Sequence, residues 1–171
     1  MKISGRTILQ RLYGFTRWGN RLSRVRYFRG HGVHSPFVYS IVRKVFMRSD
    51  LMRKSDLFDR LLLAGDIPYK RVVELCNLAE HCSYKTVGLD YEREGCDFVV
   101  LSAKFPTEEL EAVAEAARIS GTTLAIVAPY ANRERNEACR RIVAAHHSTT
   151  VDNRGYLLVF NNHLPKQHFK L

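Results

Sequence analysis

Apolar residues recur at helical spacing twice within the first fifty positions. Ile8, Leu12, Phe15, Trp18, Leu22 and Val25 follow one another at steps of three and four, which predicts one stripe of a helix. Arg11, Arg17, Arg21 and Arg24 interleave with that stripe. Val38, Ile41, Val42 and Val45 make a second stripe and leave Arg43, Lys44 and Arg48 outside it. The joint between the two reads "RGHGVHSPF". Gly30 and Gly32 suit the positive φ that ends a helix, Ser35 suits an N-cap, and Pro36 suits the first helical position, where a missing N–H costs nothing. Local physics therefore accounts for the glycines, the serine and the proline as a corner, and leaves His31 and His34 over.

From residue 55 the periodicity changes. "DLFDRLLLAG" (56–65) predicts a short helix begun by Ser55 and ended by Gly65. "DIPYKRVVELCNLAEHC" (66–82) reads as a further helix with Asp66 as its cap, Pro68 in its first turn, and Val72, Cys76 and Ala79 on one face. "KTVGLD" (85–90) and "CDFVVLSA" (96–103) are strand-like, "PTEELEAVAEAARISG" (106–121) is a helix, and "TTLAIVAP" (122–129) is a buried strand. "NRERNEACRRIVAAHH" (132–147) is a helix capped by Asn132, and "STTVD", "GYLLVF" and the "HFKL" tail close the chain as strands. Strands alternating with helices predict a mostly parallel α/β sheet. Only "YEREGC" (91–96) separates the first two strands. A parallel crossover normally needs at least ~10–12 residues, so those strands are not expected to be parallel neighbours.

Charge divides the chain at about the same place. Residues 1–54 hold thirteen Lys/Arg and one acid, Asp50, whereas residues 55–171 hold fourteen Lys/Arg and sixteen acids. This is a basic helical arm (1–54) on a nearly neutral α/β domain (55–171), within an overall charge of +10. Such an arm attracts nucleic-acid phosphates, anionic lipid or an acidic protein, with Trp18, Tyr27 and Phe28 available to stack on bases. Three uses of the first stripe compete: docking on the core, lying in a membrane interface, or serving as an Arg-rich presequence. Docking is preferred, because the second helix shares its need for burial. No apolar run reaches the ~20 residues of a membrane span, and arginines interrupt any signal-peptide pattern. Cys76, Cys82, Cys96 and Cys139 then read as reduced thiols of a cytoplasmic protein.

Few spacings carry chemistry. Cys76, His81 and Cys82 lack the second pair that a zinc site needs, so no metal site is expected. His146 and His147 end a helix, where imidazole favours the negative pole of the dipole. No G-x-S-x-G elbow is present. Exposed sheet edges could also pair this chain with a longer relative, and a homo-oligomer is a further possibility.

The string "HGVHSPFVYSIV" after a basic helix resembles the N-terminal region of a bacterial family of class I S-adenosylmethionine-dependent methyltransferases. The run from "CDFVVLSAKF" to "RRIVAAH" is similar to that fold's fourth strand, helix, fifth strand and following helix, and "GYLLVFNNHLPKQHFKL" to its closing strand and tail. The likeness covers roughly residues 20–50 and 96–171. It implies a truncated Rossmann-like fold, with a cofactor held on a glycine-rich turn after the first strand and an acid on the ribose. "VVELCNLAEHC" (72–82) is the nearest counterpart of that first element; it carries Glu74 but no glycine. Asp90 is the nearest counterpart of the ribose acid. The resemblance thus implies a strand at 72–75 where the direct reading has a helix. The fourth strand ends Ser102-Ala103-Lys104 and the fifth Ala128-Pro129-Tyr130, without the family's acids. The expectation is a shortened, non-catalytic relative that acts as an interaction module and has no cofactor. In the alternative, an active methyltransferase, S-adenosylmethionine binds near Glu74 and Asp90, and His31 or His34 acts as base on the substrate; the preferred reading has both imidazoles lock the corner by bonding carbonyls left open at a helix end.

Overall fold

A computed structural model describes residues 33–171. His31, the first apolar stripe and its arginines lie outside the described residues. Gly30 and Gly32 lie outside the described residues, but the Ser35-Pro36 half of the corner forms as its residues dictate. Ser35 adopts an extended backbone and accepts a hydrogen bond from Val38 N at 3.4 Å, and Pro36 opens helix α1 (Pro36–Ile41). The last turns widen into a π-helix, Val42–Phe46, with Met47 N reaching back to Val42 O. Val38, Ile41, Val42 and Val45 are all buried, so this part of the basic arm packs into the body as expected of the second stripe.

Helix α2 (Asp56–Ala64) ends at Gly65, whose left-handed φ of 72° closes it. Helix α3 (Tyr69–His81) is flanked by Pro68 in an extended conformation. The expected cap, Asp66, does not cap it; its carboxylate instead accepts from Ala103 N at 2.8 Å. Residues 71–76 are helical, so the strand implied by the resemblance is not there. Every residue from Val72 to Ala79 is buried, because α3 packs on the sheet and also beneath α1 and α2. Its buried Asn77 is satisfied by the loop above, accepting from Met52 N at 2.7 Å and donating to Asp50 O at 2.9 Å.

Six strands follow: β1 (Val87–Leu89), β2 (Phe98–Leu101), β3 (Thr123–Val127), β4 (Thr149–Asp152), β5 (Tyr156–Val159) and β6 (Gln167–Lys170). Between them lie a 3-10 turn (Thr107–Glu109), helix α4 (Leu110–Ser120) and helix α5 (Arg133–Ala145). Asn132 caps α5 as read from the sequence, accepting from Arg135 N at 2.7 Å. The sheet order is β1-β2-β3-β5-β4-β6. The sheet is mixed: β5 runs against both its neighbours, and the other five strands share one direction. Alternate residues of each central strand face opposite layers. Phe98, Val100, Ala125 and Leu158 join α1, α2 and α3, whereas Val99, Leu101, Leu124 and Val159 join α4 and α5. Burial on both faces explains why these strands read as continuous apolar runs.

The expectation that β1 and β2 are not parallel neighbours is wrong. They pair in parallel, Val87 opposite Phe98 and Leu89 opposite Val100. The ~10–12-residue minimum assumes a crossover that carries a helix. Here the strands have three and four residues, roughly 10–13 Å at ~3.3 Å each, and a plain loop spans that return. The loop turns at Asp90 (φ 52°) and Gly95 (φ 66°) and lies flat on the strand it leaves. A Cβ on Gly88 would sit 1.6 Å from Glu92 O, so only glycine permits the approach.

Burial governs the remaining imidazole at the end of α5. His146 is buried, its Nε2 lies 2.8 Å from Phe160 O, and burial lowers its pKa below the usual imidazole value. The sequence placed it at the negative pole of the helix dipole; the structure holds it as a hydrogen-bonded core group whose burial disfavours the charged form.

The return loop yields a prediction. Gly88→Ala should destabilise the fold by about 3 kcal/mol, the upper end for overpacking, because the atom it meets is backbone. Urea unfolding measures this, and an unchanged midpoint would contradict the crossover described.

Candidate functional site

Because five strands share a direction, their carboxyl ends lie along one edge of the sheet, where open α/β folds bind ligands. Asp90 and Ser102 follow β1 and β2, Ala128 to Tyr130 follow β3, and Asp152 ends β4. Tyr156, the first residue of β5, comes to the same edge from the opposite direction. Both acids expected to hold a cofactor are near this edge, and each is already engaged.

Glu74 enters from α3 and is 1% exposed. Its Oε2 accepts from Arg71 Nη1, from Asn153 Nδ2 at 3.0 Å and from Tyr156 OH at 3.0 Å. Arg71 also lies over the Tyr156 ring, 5.7 Å from its centroid. Gly155 makes room for it, since a Cβ there would fall 2.5 Å from Arg71 Nε. Burial, and then the charge of Glu74, push the Tyr156 phenol well above its usual pKa, so it remains a donor. Four residues from α3 and the β4–β5 turn thus form one network around the buried carboxylate, and Lys70 Nζ lies 4.0 Å from its other oxygen.

Asp90 takes a left-handed backbone and accepts from Ser102 N at 2.7 Å. It is the turn former at the start of the return loop, and together with Asp66 it receives the two N–H groups that follow β2. Arg135 fills the space behind them. It is 1% exposed and donates to Ser102 O and Phe105 O at 2.8 Å and to Val127 O at 3.1 Å. Burial lowers the guanidinium pKa, and the nearby Asp90 and Asp66 act against that. The carboxyl ends of β2 and β3 are therefore bridged by a side chain of the chain itself. Ser102 Oγ and one oxygen of Asp66 remain buried without a partner.

Further along the edge is a small cleft of about 160 Å³, lined by Tyr130, Asp152, Arg140, His168 and Lys170 among others. Tyr130 OH donates to Asp152, and His168 Nδ1 lies 2.8 Å from Thr150 Oγ1. Small-molecule sites begin at roughly 300 Å³, so this cleft is too small for an adenosyl ligand.

The other expected residues stand apart from this edge or outside the description. His34 is exposed at the corner before α1. His31 precedes the described residues. Among the described residues no group of three His, Cys, Asp or Glu is placed to hold a metal. All four cysteines are free, and burial pushes Cys76 and Cys139 up to about 12 and Cys82 up to about 11. Such thiols are inert packing groups. Among the described residues no helix is long and apolar enough to cross a membrane.

Sequence reasoning missed Arg71, Asn153 and Tyr156 as partners of Glu74, and Arg135 as the bridge. One signal was present: a lone acid inside "VVELCNLA" must either face water or find donors. Comparison with family models, with curated proteins and with solved structures gives no match for this chain.

If Glu74 is held as described, Glu74→Ala strands Arg71 and Tyr156 and should lower stability by about 3 kcal/mol. Glu74→Gln, which keeps two acceptor sites for donors already in place, should lose less. Equal stability of the alanine variant and the parent in denaturant would contradict a structural role.

Proposed function

We propose that this chain is a shortened, non-catalytic relative of class I S-adenosylmethionine-dependent methyltransferases. In this reading its truncated Rossmann-like domain carries an arginine-rich N-terminal segment that grips phosphates, with nucleic acid as the partner class. One observation carries the non-catalytic part: α3 is a helix whose residues from Val72 to Ala79 are all buried. A dinucleotide-type cofactor is bound where free backbone amides at a glycine turn approach it closely. In α3 those amides are spent within the helix, and the acid beside them, Glu74, is neutralised by Arg71.

The interaction part rests on charge. Of the thirteen Lys/Arg in residues 1–54, four (Arg11, Arg17, Arg21 and Arg24) follow the first apolar stripe with no acid among them. Such spacing lets a segment neutralise several phosphates at once while an apolar side stays covered.

Retention of the full chain on immobilised nucleic acid, measured as a function of salt, tests this reading. Changing Arg11, Arg17, Arg21 and Arg24 together to glutamine should weaken retention and reduce the log–log salt slope by about 3, at ~0.7–0.9 per phosphate contact. Retention and slope equal to those of the parent would refute phosphate gripping by this segment.

A further inference from the structure

Strand β6 is the outer strand of the sheet and pairs with β4. Its residues alternate between the two layers. Phe169 packs with α1, α2 and α3, so His168 and Lys170 turn to the side of α5. On α5 the helical period brings Asn136, Arg140 and Val143 to one face. The cleft of about 160 Å³ lies between that helix face and that strand.

Three basic side chains share this small space. Arg140 is exposed and Lys170 partly so, and both line the cleft. Among the described residues neither side chain has an ion-pair partner. The other arginines of α5 are engaged: Arg133 pairs with Glu137 at 2.7 Å, Arg141 with Glu111 at 2.8 Å, and Arg135 donates to backbone carbonyls. His168 is the third base, its Nδ1 placed 2.8 Å from Thr150 Oγ1. Asp152 is the one acid that lines the cleft among the described residues, and both its oxygens accept from the chain itself, from Tyr130 OH and from Arg154 N at 2.9 Å. A lysine on an edge strand also deters pairing with another strand, but that role requires no arginine across the cleft. Cations gathered at one cleft repel each other, and an anion between them relieves that repulsion.

We propose that this cleft binds the phosphate group of a small phosphomonoester, held by Arg140 from the helix and Lys170 from the strand. Guanidinium meets two phosphate oxygens through paired N–H donors, and the lysine ammonium acts as a point charge on a third. Two cations match the charge of nearly two that a phosphomonoester carries near neutral pH. A carboxylate or a phosphodiester brings only one. The cleft is smaller than the ~300 Å³ at which sites for whole small molecules begin, so the phosphate enters and the rest of the molecule stays outside. None of the arginines of the N-terminal segment takes part, and the site does not depend on the nucleic-acid reading.

Calorimetric titration of the intact chain with methyl phosphate, above about pH 7 and at fixed ionic strength, tests the proposal. Methyl phosphate should bind with Kd below roughly 1 mM. Arg140→Gln and Lys170→Gln should each weaken it about tenfold or more, with thermal melting close to that of the parent verifying that both fold. Dimethyl phosphate and acetate, with one charge each, should bind the parent at least about tenfold more weakly. The variant with Arg11, Arg17, Arg21 and Arg24 changed to glutamine should keep the parent's affinity, which separates this site from the N-terminal segment. Absence of binding to the parent overturns the proposal, as does unchanged affinity in Arg140→Gln or Lys170→Gln. Dimethyl phosphate or acetate binding as tightly as methyl phosphate overturns it too, as does loss of binding in the N-terminal variant.

Discussion

A carboxylate buried among apolar side chains must find its donors in place, and Glu74 finds three. Arg71 reaches it from one turn earlier in the same helix, and Asn153 and Tyr156 from the turn that joins β4 to β5. Residues about eighty positions apart are thereby fixed against each other. The antiparallel strand β5 lies between β3 and β4, so the same bonds hold the hairpin beneath the helical layer. Removing one partner leaves the others charged or polar in a dry site, where the penalty exceeds what the pair contributes when whole. Much else depends on this arrangement: the burial of α3, the passage of Arg71 past Gly155, and the closure of the sheet edge.

That closure sets the chemistry. In an open α/β sheet the carboxyl edge is usually left free for a ligand. Here Asp66 and Asp90 bind the N–H groups beyond β2, and Arg135 binds the carbonyls at the ends of β2 and β3. Space remains on the opposite side of the return loop instead. The short crossover that lets β1 sit beside β2 leaves one flank of the sheet without a helix. The short crossover thus leaves an open groove on one flank, while the edge is tied up by side chains of the chain itself.

Much of this fold was legible in the sequence. The second stripe, the Ser35-Pro36 start, the Asn132 cap and the closing strands follow from periodicity and capping alone. Two features were not. The parallel pairing of β1 and β2 was excluded by a loop-length rule that presumes strands of ordinary length; Gly88, a glycine inside a strand, was the sign that another backbone lies against it. The partners of Glu74 depend on contacts across the chain that no local pattern specifies. Asp66 looked like a helix cap because its position suited one, but tertiary packing directed its carboxylate to Ala103 N. At the candidate site, Glu74 and Asp90 were read as cofactor-binding acids, and in the fold each accepts from donors of the chain itself. What they bind belongs to the tertiary fold.

We propose that the segment resembling a cofactor-binding strand holds no adenosyl ligand, because among the described residues it is a buried helix clamped through Glu74. Calorimetric titration of the full chain with S-adenosylmethionine and with its demethylated product tests it most directly. The account predicts no binding by either tighter than about 100 μM, or ~5.5 kcal/mol. A saturable one-to-one heat with a dissociation constant below that value would contradict it.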